Sequence, residues 1–207
     1  MKYAKPYNEP VFYFEELSES AQMRVVSDNV ECFLVEDMNA ALNYYLGTEF
    51  ANSEPEMQYD FSYCQGSGLN LYGKFDLNDL VYFACGYYLD ETATVTIPAN
   101  RHYNYCKWDC SDEYKSAIYD AIGEALDFYY YDISKEQEEE YDAIVNAICE
   151  RMRDFCDELY LQGEGIIDEY NTKEFNENTL FDEFGAYSCN VWDTDAYVDI
   201  QEEENAA

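Results

Sequence analysis

The sequence predicts an α+β fold: an antiparallel β-sheet built from hairpins and packed by amphipathic, acidic helices. Three observations predict it. Tyr59, Phe61 and Tyr63 alternate with Asp60 and Ser62, and after Gln65-Gly66-Ser67-Gly68, Leu69, Leu71 and Phe75 alternate with Asn70, Tyr72 and Lys74, the period-two pattern of a hairpin. Over residues 112–170 apolar side chains recur instead at three- and four-residue spacing, in two helices joined near residues 131–134. The chain also holds 23 Tyr and 12 Phe in 207 residues, enough aromatic surface for a real core.

In order, residues 1–110 read as mainly hairpin sheet plus an N-terminal helix. Residues 111–170 read as an acidic helical pair, 171–200 as a C-terminal helix and strand, and 201–207 as a loose tail, all in one domain spanning 1–207. Val11-Phe12-Tyr13-Phe14 is a short apolar run that suits a strand. Ser18 is placed to cap a helix, with Glu19 in the first turn favouring its dipole. That helix turns Ala21, Val25, Val26 and Phe33 inward, continues through Leu34, Ala41, Leu42 and Tyr45, and stops near Gly47. Residues 76–90 fit a short helix or a buried strand. The β-branched alternation of 92–97 predicts a strand, and 101–108 is expected to pair with it after the Pro98-Ala99-Asn100 turn.

The first acidic helix sets Ile118, Ile122, Ala125 and Tyr129 on one face and Glu113, Asp120, Glu124 and Asp127 on the other. In the second, Tyr141, Ile144, Val145, Ile148, Met152, Phe155 and Leu159 form a continuous apolar stripe. Glu139, Asp142, Glu150 and Asp157 project from the opposite side, with Glu136, Glu140, Asp154 and Glu158 along one flank. Gly163 and Gly165 are expected to interrupt this helix before residues 166–170. Aromatic spacing over 178–200 then suits a short helix followed by an edge strand.

Charge narrows the function. Forty-five carboxylates against 11 Lys and Arg give a net charge of −34; residues 1–103 carry 16 acids and 5 bases, residues 104–207 carry 29 and 6. Solubility needs a net charge of only about 2–8 in a small domain, and charge beyond that opposes compaction by self-repulsion. A compact chain of this length has a radius of gyration of roughly 17 Å, a body ~43 Å across. A DNA duplex of that length holds about 25 phosphates, at one per ~1.7 Å of axis. The two charges are of the same order. Basic partners for i,i+4 pairing along the helices are nearly absent, and Tyr119, Tyr129, Tyr130, Tyr131 and Tyr160 interleave with the acids, a composition that suits a partner surface.

Other constellations are thin. His102, Cys106 and Cys110 recur every fourth residue, but a structural zinc site takes four ligands and no Cys-x-x-Cys is present. Asp193, Asp195, Asp199 and Glu204 fall at positions 1, 3, 7 and 12 of a calcium hand, yet Val198 stands where the turn needs glycine and Tyr197 replaces an oxygen ligand. Gly66-Ser67-Gly68 reads as a turn, since no Gly-Lys-Ser/Thr follows. Cys149 and Cys156 lie seven apart beside the apolar stripe and are read as core. No catalytic residue, cofactor or metal is assigned, and the chain is expected not to be an enzyme. No apolar run of about 18 residues is present and Met1-Lys2-Tyr3-Ala4-Lys5-Pro6 lacks the apolar core of a signal peptide, so a cytoplasmic setting is expected.

Phe14-Glu15-Glu16-Leu17-Ser18-Glu19-Ser20-Ala21, the Phe61-Ser62-Tyr63-Cys64-Gln65-Gly66-Ser67-Gly68 turn and residues 94–106 with the His102-Tyr103 pair, followed by a Glu-Phe-Asn-Glu-Asn segment, resemble a family of uncharacterised acidic proteins of bacteriophages and mobile elements, some labelled automatically as antitoxins. This chain departs from that pattern at Ser67, where relatives are expected to be acidic, and in its greater acidity. The resemblance implies a phage-type context in a bacterial host, where small acidic proteins block nucleases by imitating DNA, as antirestriction and anti-CRISPR proteins do. With the charge, it leads to the expectation of a DNA mimic that occupies the basic DNA-binding channel of a host nuclease or Cas effector. Its partner face would comprise Glu113, Asp120, Glu124, Asp127, Glu136, Glu139, Asp142, Glu150, Asp154, Asp157, Glu158 and Tyr160. Such a protein binds no nucleic acid itself, and a homodimer would double the mimicked length. The alternative is an antitoxin or regulatory module that binds a basic protein partner through a few aromatic hot spots.

Overall fold

The computed structural model of the chain describes residues 2–4, 9–46, 48–61, 67–99, 107–108, 111–126 and 133–190. Its fold is α+β, and it forms two compact units, residues 1–37 with 163–207 and residues 38–162. Among the described residues no helix is long and apolar enough to cross a membrane.

In the first unit, β1 (Lys2–Ala4) and β2 (Glu9–Val11) pair antiparallel. Phe12 extends β2 by exchanging both backbone hydrogen bonds with Phe181, at 2.9 and 3.0 Å. Phe181 belongs to β6 (Thr179–Phe181), which pairs with β7 (Tyr187–Asn190). Residues 179–181 are therefore a strand, not the helix that their aromatic spacing suggests; pairing along β7 on one edge and of Phe181 with Phe12 on the other outweighs a weak local preference. Phe14 leaves the expected strand for a 3-10 turn (Phe14–Glu16), because the Glu16 carboxylate accepts the Tyr13 N–H at 2.9 Å. Phe14, Leu17, Ala21, Val25 and Phe181 form the core here.

The helix α1 (Glu19–Leu46) starts where Ser18 predicts it, the Ser18 hydroxyl accepting the Ala21 N–H at 3.3 Å. Its inward face is not one stripe. Ala21 and Val25 are buried on one side, and Leu34, Met38 and Leu42 are buried on a side rotated by about 240° at 3.6 residues per turn. Phe33 falls between the two and is 45% exposed, which corrects the inward placement that a single stripe implies. At the other edge of the unit, Asn176 latches the end of α4 (Lys135–Tyr170). Its Nδ2 donates to the Tyr170 and Thr172 carbonyls at 2.8 and 2.9 Å, and its Oδ1 accepts from Asn29 at 3.3 Å. The Tyr170 hydroxyl donates to Asp37 at 2.6 Å.

The second unit is built on the predicted hairpin. β3 (Glu54–Asp60) and β4 (Gly68–Asp76) pair in register from Glu54 with Lys74 to Asp60 with Gly68, and β5 (Thr94–Ile97) adds on the far side of β4. The turn residues 62–66, the pairing expected of 101–106 and the helix stop at Gly47 lie outside the described residues. Alternation along β4 is incomplete: Leu69, Asn70 and Leu71 are all buried. The central strand is covered on both faces, and Asn70, expected outward, is held by the Tyr114 hydroxyl at 3.1 Å.

Residues 77–85 resolve to a helix, α2 (Leu77–Cys85). Asp76 caps it by accepting from the Asn78 and Asp79 N–H groups, and Gly86 closes it in the left-handed region at φ 77°. Asp79 is buried, and its carboxylate accepts from the Asn52 N–H, the Asn52 amide and the Ser53 hydroxyl at 2.8–3.1 Å. Asp79→Ala strands those donors in a closed loop. We expect a loss of about 2 kcal/mol in urea unfolding, with Asp79→Asn intermediate.

Two helices complete this unit. α3 (Asp112–Ala125) buries Tyr114, Ile118, Ala121, Ile122 and Ala125 and packs on β5 and α2. In α4 the whole predicted stripe from Tyr141 to Leu159 is buried, and Phe155 joins Phe50, Phe75 and Phe83 in an aromatic cluster with ring centroids 4.9–6.1 Å apart. α4 runs unbroken to Tyr170, so Gly163 and Gly165 do not interrupt it. Each glycine costs a helix about 1 kcal/mol relative to alanine, a penalty that the buried Leu159 and Tyr170 on either side offset. A Cβ on Gly165 would meet nothing within 4 Å. Gly165→Ala is therefore expected to raise stability by about 1 kcal/mol, read as a higher thermal midpoint.

Candidate partner-binding face

The expected face is carried by α3 and α4 in the second unit. Because their apolar stripes are buried, the helical period turns the intervening acids outward. Glu113, Asp120 and Glu124 are exposed on α3, within a sector of about 40° over ~17 Å of axis. Glu136, Glu139, Glu150, Asp154, Asp157 and Glu158 are exposed on α4, within a sector of about 100° that faces away from the stripe. Glu140 shares that sector, whereas Glu138 is exposed on the far side of the apolar stripe. Asp127 lies outside the described residues, as do Tyr129, Tyr130, Tyr131, the His102/Cys106/Cys110 set and the acidic tail from Asp193.

Asp142 is set apart from this sector. It turns toward α3, where it lines a cavity of about 350 Å³ with Asp120, Lys115, Tyr119, Val145 and Asn146. Lys115 there donates to Asn146 at 3.0 Å. The structure thus brings Asp120 and Asp142 together across two helices, a pairing that the sequence does not signal. Tyr160 is half-buried, its ring stacked on Phe61 at 4.8 Å and 14°, so packing takes up much of the surface it was expected to offer a partner.

Compensation is sparse. Glu139 meets Lys135 at 3.3 Å between exposed side chains, and Glu158 meets the half-buried Arg151 at 3.3 Å. Among the described residues the other expected carboxylates form no ion pair within 4 Å. From Glu136 to Glu158, α4 carries nine carboxylates over ~33 Å of axis, one per ~3.7 Å on average. They fall in two groups separated by about two uncharged turns from Ala143 to Cys149. Cys149 and Cys156 are both buried in the core, and burial pushes the Cys156 thiol up to about 12, which disfavours a nucleophilic thiolate there. Cys85 is half-buried and Cys32 exposed.

A second concavity lies in the first unit, of about 490 Å³, lined by Asp28, Cys32, Phe33, Phe175, Asn176 and Tyr187 among others. Sequence reasoning missed it, although Phe33, placed among charged neighbours of α1, was the available signal. Among the described residues no group of three or more His, Cys, Asp or Glu is placed to hold a metal ion. Compared with protein-family models, with curated proteins and with solved structures, the chain matches none.

Proposed function

We infer that this chain is a DNA-mimic inhibitor, encoded by a phage or mobile element, that occupies the basic DNA channel of a host defence nuclease in the bacterial cytoplasm. The observation that carries this reading is the row of exposed, mostly unpaired carboxylates on α4. Seven of them (Glu136, Glu139, Glu140, Glu150, Asp154, Asp157 and Glu158) share one sector over ~33 Å, about one per 4.7 Å, against ~3.4 Å per phosphate of one DNA strand and about a third of the charge density of a duplex. The acids of α3 add a second row in the same unit. A channel lined with Lys and Arg for phosphates would accept these carboxylates, release counterions and exclude DNA. The chain is then a competitor, not a catalyst.

The testing experiment is a pull-down from bacterial host lysate at low salt. Capture of a DNA-handling nuclease, released by high salt and by competing duplex, supports the mimic. The alternative, an antitoxin or regulatory module for a basic protein, is favoured by the cavity at Phe33, Phe175 and Tyr187, where a few aromatics would act as hot spots. Capture of a small basic protein, resistant to duplex and lost on Phe33→Ala, would replace the first reading with the second.

A further inference from the structure

The acidic sector of α4 has two different borders. On one flank stands α3, through Lys115, Asn146 and the Asp120–Asp142 cavity. On the other stands α2, where Phe83 packs against Phe155 and lies under the Arg151 guanidinium at 4.2 Å from the ring centroid. Beyond Phe83 the chain exposes three tyrosines: Tyr82 at 44%, Tyr87 at 45% and Tyr88 at 63%. Tyr82 and Tyr88 stack at 4.5 Å with 5° between their planes, so the pair is ordered while its outer surface remains open to solvent. Partial burial pushes the Tyr87 phenol up, with smaller contributions from Cys85 and Glu140. Phe83, through Phe155 and Arg151, sets this end of α2 at the border of the acidic sector, and the tyrosines on either side of Phe83 in the chain share that unit.

Aromatic faces beside carboxylates favour one kind of cation. A guanidinium is planar, weakly hydrated and able to stack on a ring while its N–H groups reach a carboxylate; an ammonium is a compact, strongly hydrated point charge. We propose that Tyr82, Tyr87 and Tyr88 extend the acidic face of α4 into a surface that selects arginine over lysine, so that the partner docks through an arginine-bearing segment. This rests on the reading of α4 as a face for a basic protein, and it adds which basic residue is read and by what. The same stretch already holds one guanidinium this way, Arg151 over Phe83.

The test uses the full chain and two capped decamer peptides, one of arginine and one of lysine, titrated by calorimetry at several salt concentrations. The wild type is expected to bind the arginine peptide roughly fivefold tighter or more, with stacking adding to carboxylate pairing. Changing the three tyrosines to alanine should cut that ratio by about threefold, and changing them to phenylalanine should keep it, since the ring and not the hydroxyl is at work. Circular dichroism checks that both variants fold. An arginine preference that survives the alanine changes overturns the assignment of the tyrosines and leaves the charge reading standing. Equal binding of both peptides by the Glu136, Glu150, Asp154 and Asp157 amide variant and by wild type would instead remove the charge reading itself.

Discussion

Changing Glu136, Glu150, Asp154 and Asp157 to their amides is expected to give a protein that is more stable than wild type and has lost its partner. All four are exposed and none forms an ion pair among the described residues; what is given up is the interaction of Glu136, in the first turn of α4, with the helix dipole, about 0.3–1 kcal/mol. Glu136 with Glu140, Glu150 with Asp154, and Asp154 with Glu158 are like charges four residues apart on one helix, each pair costing about 0.2–0.5 kcal/mol. Neutralisation should therefore raise the thermal midpoint at low salt, and the rise should shrink as salt screens the repulsion. Binding moves the other way. If the face meets a basic channel, as proposed, four charges lost from it should weaken the complex on the order of a hundredfold at low salt, with a flatter dependence on ionic strength. A single reversal should do little, because the effect is spread along ~33 Å of helix. The measurement is a set of affinities for the captured nuclease against salt, beside a melting curve for each variant. A folded amide variant that binds and inhibits like wild type would end the mimicry reading.

Gly185→Ala is expected to be the most damaging single change to the fold, at about 3–4 kcal/mol. Gly185 closes the β6–β7 turn at φ 84°, a left-handed conformation that costs a residue with a Cβ about 1–2 kcal/mol. The turn itself is held by Asp182, whose carboxylate accepts the Phe184 and Ala186 N–H groups at 2.9 and 2.8 Å, so the backbone has little room to adjust. A Cβ at 185 would also run into the backbone carbonyl of Ala21, in the first turn of α1 beside the Phe14–Phe181 core. Relieving that clash means moving the helix or the hairpin, an overpacking cost of about 1–3 kcal/mol. Urea unfolding followed by circular dichroism measures it. Near wild-type stability in the alanine variant would show that the turn and the helix are less tightly opposed than described.

The parts of the fold that were legible in advance are those set by short-range period. The hairpin of β3 and β4 follows from alternation on either side of a glycine-containing turn, and the stripes of α3 and α4 follow from three- and four-residue spacing. The acids fall on the outer faces of those helices as a geometric consequence. The misreadings share one cause, contacts from elsewhere in the chain. Phe33 was placed inward because one stripe was assumed for α1, whereas its buried side changes between Val25 and Leu34. Asn70 was placed outward because Tyr114, 44 residues away, was not visible as its partner. Gly163 and Gly165 were read as breakers because the packing around Leu159 and Tyr170 that carries α4 past them is not a local property.

By itself, then, the sequence determined the α+β class, the hairpin, the course of the acidic helices and the charge of their exposed faces, since each depends on backbone period and residue type alone. Only the tertiary structure decided how the aromatics are used. Tyr160 is stacked on Phe61, Tyr114 is folded onto Asn70, and Tyr82 and Tyr88 are left stacked in the open. A tyrosine is amphipathic, so its local sequence leaves burial undecided, and the outcome rests on whether a distant element arrives to cover the ring and satisfy the hydroxyl.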